Sequence, residues 1–157
     1  ETGGEAMAED RDPFGLDRFV AAQERVWPAV LAELGAGCKR SHWMWFVFPQ
    51  LRGLGRSAMA HRYGLASLDE ARAYLRHPLL GPRLHEACDL LASLPHGDPA
   101  AVFGELDAMK LRSCLTLFDQ AAPDEPRFAG LLQRCFGGQR DPATLSPLAA
   151  DRGGAAT

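Results

Sequence analysis

The feature that most constrains this chain is an apolar rhythm of three and four residues that runs along most of its length. Leu16, Phe19, Val20, Gln23, Val26, Trp27, Val30, Leu31 and Leu34 recur at those intervals, the spacing that lines one face of a helix. Asp12 stands before the run as an N-cap and Gly35 after it as a stop. Pro28 predicts a kink or a restart, with the proline in a first turn. Ser57 caps a helix reaching Tyr63, and Ser67 opens "SLDEARAYL" with Glu70 at the capping-box spacing. After the break at His77-Pro78, "PLLGPRLHEACDLLASL" turns Leu79, Leu80, Leu84, Cys88, Leu91 and Leu94 inward. Asp98 and Pro99 start a short helix. "LDAMKLRSCLTLFDQAA" is the most regular amphipathic segment, with Leu106, Met109, Leu111, Cys114, Leu115, Leu117 and Phe118 facing the core. "EPRFAGLLQRCFGG" completes that core and stops at Gly137-Gly138. These patterns predict a mainly α protein, one compact helical domain of about seven helices over residues 14–148. Residues 1–13 read as a tag remnant and disordered N-terminus, because "ETGGEAMAED" carries its Met only at Met7. Residues 149–157 read as a disordered tail.

Composition excludes several function classes. No apolar run approaches the ~20 residues needed to cross a bilayer, and no signal peptide is visible. The expected location is therefore cytoplasmic. A net charge of −3 argues against wholesale wrapping of nucleic acid but leaves room for local basic patches. Cys38, Cys88, Cys114 and Cys135 form no CxxC pair and lie mostly in apolar stretches. They read as buried free thiols instead of zinc ligands. No metal and no cofactor is expected.

Two segments break their local pattern. In "SHWMWFVFPQ" five large apolar side chains stand almost consecutively between Lys39-Arg40 and Arg52-Arg56. Read as extended, the stretch points Trp43, Trp45 and Val47 one way and Met44, Phe46 and Phe48 the other. Either both sets are core, or one lines a wall on which a flat heterocycle stacks. Gly53, Gly55 and Ser57 at the next helix start offer free backbone N–H groups that suit a phosphate, although "GLGRS" is neither a P-loop nor a dinucleotide fingerprint. In the second segment Asp107, Lys110, Ser113 and Thr116 recur every three residues as a slanting polar ridge. That ridge is either a solvent face or, since Ser113 and Thr116 are small, a pocket holding an Asp–Lys pair. The histidines form no metal or catalytic pattern, and His77 reads as a turn residue. The two unusual segments are expected to share one cleft.

"KRSHWMWFVFPQLRGLGRSAMAHRYGL", "EARAYLRHPLLGPRL", "DAMKLRSCLTLF" and "CFGGQRDPATL" resemble a small bacterial family of unknown function (numbered eighteen-ten, sometimes mislabelled calpastatin). More distantly, the order of elements is similar to the YbiA-like, or NADAR, superfamily. That is a helical fold whose characterised members remove ADP-ribose from nucleobase conjugates. The matching stretches are Ser57 to Tyr63, Pro78 to Leu84 and "LTLFDQ" from Leu115 to Gln120. The superfamily's lysine is replaced here by Leu117, with Lys110 about two turns earlier, and its glycine-rich closing segment is absent. The resemblance implies an N-glycosidase-type hydrolase acting on an ADP-ribose derivative. Asp107 and Lys110 would then work at the anomeric carbon, where a carboxylate or an amine suits a cationic transition state. Trp43 and Trp45 would stack the base, and Arg40 with the Gly55–Ser57 backbone would hold the pyrophosphate. Ser41, Gln50, Tyr63, Ser113 and Thr116 would complete the substrate contacts. The expected partner is a small-molecule or nucleobase-linked ADP-ribose ligand, with nucleic acid as a carrier of the modification. The alternatives are a non-catalytic nucleotide- or modified-nucleic-acid-binding module and a structural protein–protein adaptor.

Overall fold

A computed structural model describes residues 12–156, with side chains described through Ala150. Among these residues there are nine helices and no strand: α1 (Asp17–Glu24), α2 (Trp27–Ala36), α3 (Met44–Val47), α4 (Ala58–Tyr63), α5 (Leu68–Arg76), α6 (Leu80–Ala92), α7 (Pro99–Ala121), α8 (Pro126–Phe136) and α9 (Pro142–Ala156). One isolated parallel bridge pairs Leu51 with Leu65. The expected seven helices become nine for identifiable reasons. Pro28 sits in the first turn of α2, so the first run is a restart and not one bent helix. Gly37, at φ 71°, ends α2 in the left-handed conformation, two residues beyond the expected stop at Gly35. The two helices expected on either side of Gly104 run on as α7, which that glycine breaks at φ 77°, ψ 166°. α9 is new, and its backbone continues to Ala156 through the stretch expected to be a tail. The expectation of a tag remnant and disordered N-terminus over residues 1–13 falls, for residues 1–11, outside the described residues, while Asp12 is placed as a cap.

The local signals explain most helix starts. Asp12 accepts the Leu16 N–H at 2.6 Å and the Asp17 N–H at 3.1 Å. Ser57 accepts from Ala60 N–H, Ser67 from Glu70 N–H, and Asp98 from Ala100 N–H, each at 3.1 Å. Glu70, nearly buried, takes the Ala66 N–H at 2.8 Å and pairs with Arg18 at 2.7 Å, which fixes α5 on α1. His77 accepts the Leu79 and Leu80 N–H groups through Nδ1, so the histidine expected in a turn caps the start of α6.

Between Ser113 and Asp119 every residue of α7 is buried. The reason is that α5, α8 and α9 surround this half of the helix. A chain of aromatic contacts crosses the core: Phe19–Tyr74 at 5.1 Å, Tyr74–Phe118 at 5.4 Å and Phe118–Phe128 at 5.6 Å. α6 packs across α2, α5 and α8.

Two expectations about packing are corrected. The "WMWFVF" stretch is not extended but makes the one-turn helix α3. At about 100° per residue, Met44, Val47 and Phe48 share one side and Phe46 covers another, leaving only Trp45 outward. Trp43, Met44, Phe46, Val47 and Phe48 are all buried, while Trp45 is half-buried. Leu106 and Met109 were expected inward, but they are 77% and 68% exposed. They lie on the side of α7 that α9 covers only from Ser113 onward.

Candidate functional site around Asp107

The site is assembled from the end of α2, the loop after it and the part of α7 around and just after Gly104. Once Gly37 has ended α2, the Cys38 N–H bonds back to Glu33 O and the Lys39 N–H donates to Val102 O at 2.8 Å, tying the loop to α7. The Glu33 carboxylate then gathers four donors from this loop. Oε1 accepts Arg40 N–H at 2.7 Å, Ser41 N–H at 2.9 Å and Trp43 Nε1–H at 3.1 Å, and Oε2 accepts the Ser41 hydroxyl at 2.6 Å. Burial pushes the Glu33 carboxyl up, but these hydrogen bonds outweigh it and bring the pKa down to about 2.

Across from this loop, Asp107 receives two ammonium groups. Lys39 Nζ lies 2.8 Å from Oδ2 and Lys110 Nζ lies 3.1 Å from Oδ1. Each ammonium also sits over an indole, Lys39 5.1 Å from the Trp43 ring centre and Lys110 4.4 Å from that of Trp45. Burial raises the Asp107 carboxyl. The hydrogen bonds from Lys39 and Lys110, and their charges, more than offset this and hold it below the usual carboxylate range. Lys39 and Lys110 are the only lysines in the chain, so 15 of its 17 cationic side chains are arginines. The compact, point-charge amine is thus used at one carboxylate and nowhere else. Beside it opens a groove of about 540 Å³ lined by Lys39, Arg40, His42, Trp45, Phe103, Gly104, Glu105, Leu106 and Asp107. The break at Gly104 sits in this lining.

The expected cleft shared by the aromatic stretch and the Lys110 helix is therefore present, through the contact of Lys110 with Trp45. Of the expected site residues, Asp107, Lys110, Arg40 and Trp45 come together here. Trp43 does not line the groove: it is fully buried, and its indole N–H is bound to Glu33. Ser41 spends its hydroxyl on Glu33. Ser57 caps α4, and a Cβ on Gly55 would stand 2.8 Å from the Ala60 Cβ, so both are occupied in packing the start of that helix. Gln50 lies near Gly55, with Nε2 3.9 Å from that same Cβ position. Tyr63 is buried against Phe19 and Phe46. Ser113 donates to Asp141 at 2.7 Å and Thr116 accepts the Asp141 N–H at 3.0 Å, so this half of the polar ridge docks α9. The sequence reading missed Lys39 and Glu33. The available signal was the scarcity of lysine, which marks both amines at once. Of the cysteines, Cys88 and Cys114 are buried, Cys135 is half-buried and Cys38 is exposed. No group of His, Cys, Asp or Glu suited to a metal ion occurs among the described residues. No helix there is long and apolar enough to cross a membrane.

A compact all-helical domain with a two-lysine carboxylate site is the class that fold and site define. The chain belongs to the family described as "Protein of unknown function (DUF1810)", which matches residues 13–148. A solved structure similar to it is the conserved hypothetical protein Rv1873 from Mycobacterium tuberculosis. The two are 52% identical, the match covers 88% of this chain and 99% of that one, and the TM-score is 0.86. No match was found among curated proteins.

Proposed function

We propose that the groove beside Trp45 binds an ADP-ribose derivative and that Asp107 and Lys110 hydrolyse its N-glycosidic bond. The observation that carries this reading is the convergence of both lysines on Asp107, at the edge of a groove lined by the half-buried indole of Trp45. The similarity to the YbiA-like superfamily supports the choice of ligand. Arg40 supplies a cation and His42 an imidazole N–H donor at the rim for a pyrophosphate, and Trp45 with Phe103 supplies aromatic surface. In the reaction the bond between C1 and the base nitrogen breaks and its electron pair leaves with the base, which takes a proton from the Lys110 ammonium. The ionised Asp107 faces the positive charge growing at C1 and accepts the proton of the water that adds there.

A non-catalytic binding module is the second reading. The Lys110 ammonium occupies the Trp45 face and is already paired, so a ligand has to displace it to stack there. Thermal-shift screening against NAD, ADP-ribose, nucleotides and ADP-ribosylated nucleobases tests binding. Ligand at one hundred times its Kd is expected to stabilise by about 2.7 kcal/mol. A flat response across that panel removes the nucleotide reading.

A further inference from the structure

We propose that Glu33 is the positioning residue of this site: it holds the Arg40–Ser41 backbone and the Trp43 indole and so places Lys39 on Asp107. The inference rests on the proposed role of Asp107, although its test does not need a ligand. Glu33 controls Lys39 from two sides. The residues that directly follow Lys39 are fixed by the Glu33 bonds to Arg40 N–H, Ser41 N–H and the Ser41 hydroxyl. The surface on which the Lys39 ammonium rests is the Trp43 ring, whose N–H ends on the same Glu33 Oε1. The third restraint, Lys39 N–H to Val102 O, comes from α7 itself.

The result is a nine-tenths-buried ammonium with one carboxylate partner. The Lys39 side chain is 9% exposed and that of Lys110 is 28% exposed. With Lys39 fixed on Oδ2, Asp107 has only Oδ1 to share with Lys110, so the carboxylate is held in one orientation toward the groove. A carboxylate held by Lys110 alone would rest on a single flexible i,i+3 partner from its own helix. A charge gathering four hydrogen bonds is a strong anchor, because bonds to charged groups exceed neutral ones about twofold. Its position outside the groove makes Glu33 a residue that acts through Lys39 and not on a ligand.

The presence of only two lysines makes the test direct. The folded protein is acetylated with the N-hydroxysuccinimide ester of acetate, and each lysine peptide is followed by mass spectrometry. In the wild type Lys39 is expected to react more slowly than Lys110. In Glu33→Gln the Lys39 rate should rise about tenfold, the scale of one lost hydrogen bond to a charged group, while Lys110 stays within about twofold. General loosening of the fold would raise both amines together, and that result overturns the inference, as does an unchanged Lys39. If Glu33→Gln does not fold, Ser41→Ala removes one donor and leaves the carboxylate. Lys39 alone should then gain about twofold to threefold, and no gain counts against the inference. A second arm measures ADP-ribose affinity of the same variants. Absence of binding in the wild type overturns the proposed function but leaves the lysine result to decide the role of Glu33.

Discussion

Lys110→Met should reduce turnover of an ADP-ribosyl N-glycoside by about 10²–10⁴-fold, the usual contribution of a positioned proton donor. Ligand affinity should stay within roughly tenfold, or about 1.4 kcal/mol. Methionine keeps the length and apolar stem that cover Trp45 but removes the ammonium that lies 3.1 Å from Asp107. Asp107 would keep its bond to Lys39, so the carboxylate itself should stay in place. If Lys110 acted only as half of a surface helix pair, its loss would alter neither turnover nor binding, and stability would move by less than about 0.5 kcal/mol. Both quantities are measured on the one variant. Full turnover in Lys110→Met removes this lysine from the chemistry.

The largest stability effect is expected from a single methyl group at Gly81. A Cβ added there would stand 2.1 Å from the Leu75 carbonyl oxygen and 3.0 Å from its carbon. The obstacle is backbone, so no rotamer change relieves it, and α6 would have to lift away from α5. Gly81→Ala should cost about 3 kcal/mol, the upper part of the overpacking range. For a chain of this length that lowers Tm by roughly 6–12 °C. Gly130 in α8 serves as the control, because an added Cβ there meets nothing within 4 Å. Gly130→Ala should raise stability by about 0.5–1 kcal/mol through helix propensity and the unfolded chain. Equal behaviour of the two variants in a thermal melt would show that α5 and α6 do not meet at Gly81.

Much of this fold is legible in local chemistry. Ser57, Ser67 and Asp98 cap the helices that they were expected to start, Pro28 restarts one, and Gly104 divides α7 where two segments were expected. Local rules failed at α3 because a four-residue helix has no stability of its own. It exists because burial surrounds "MWFV" on most sides. The amphipathic template failed at Leu106 and Met109 because it assigns one buried face to a helix. α7 is enclosed on all sides in its second half and open on one side before it. In the site, Lys110 and Trp45 were found because both disturb a pattern. Lys39, Glu33 and the burial of Trp43 depend on a loop folding back onto α7, and no periodicity reports such a contact. Ser113 and Thr116 show the converse. Small polar residues in an apolar helix do mark a buried partner, but that partner is Asp141 at the start of α9.

The most direct measurement is a single-turnover assay of an ADP-ribosylated nucleobase with wild type and Asp107→Asn, resolving free base and ADP-ribose by chromatography. The wild type should release both products in equal amounts. Asp107→Asn keeps the shape but offers no charge to the developing cation and no base for the water, so release should fall by about 10²-fold or more. Stoichiometric binding of the conjugate with no base released by the wild type, or undiminished release by Asp107→Asn, would contradict hydrolysis at this carboxylate.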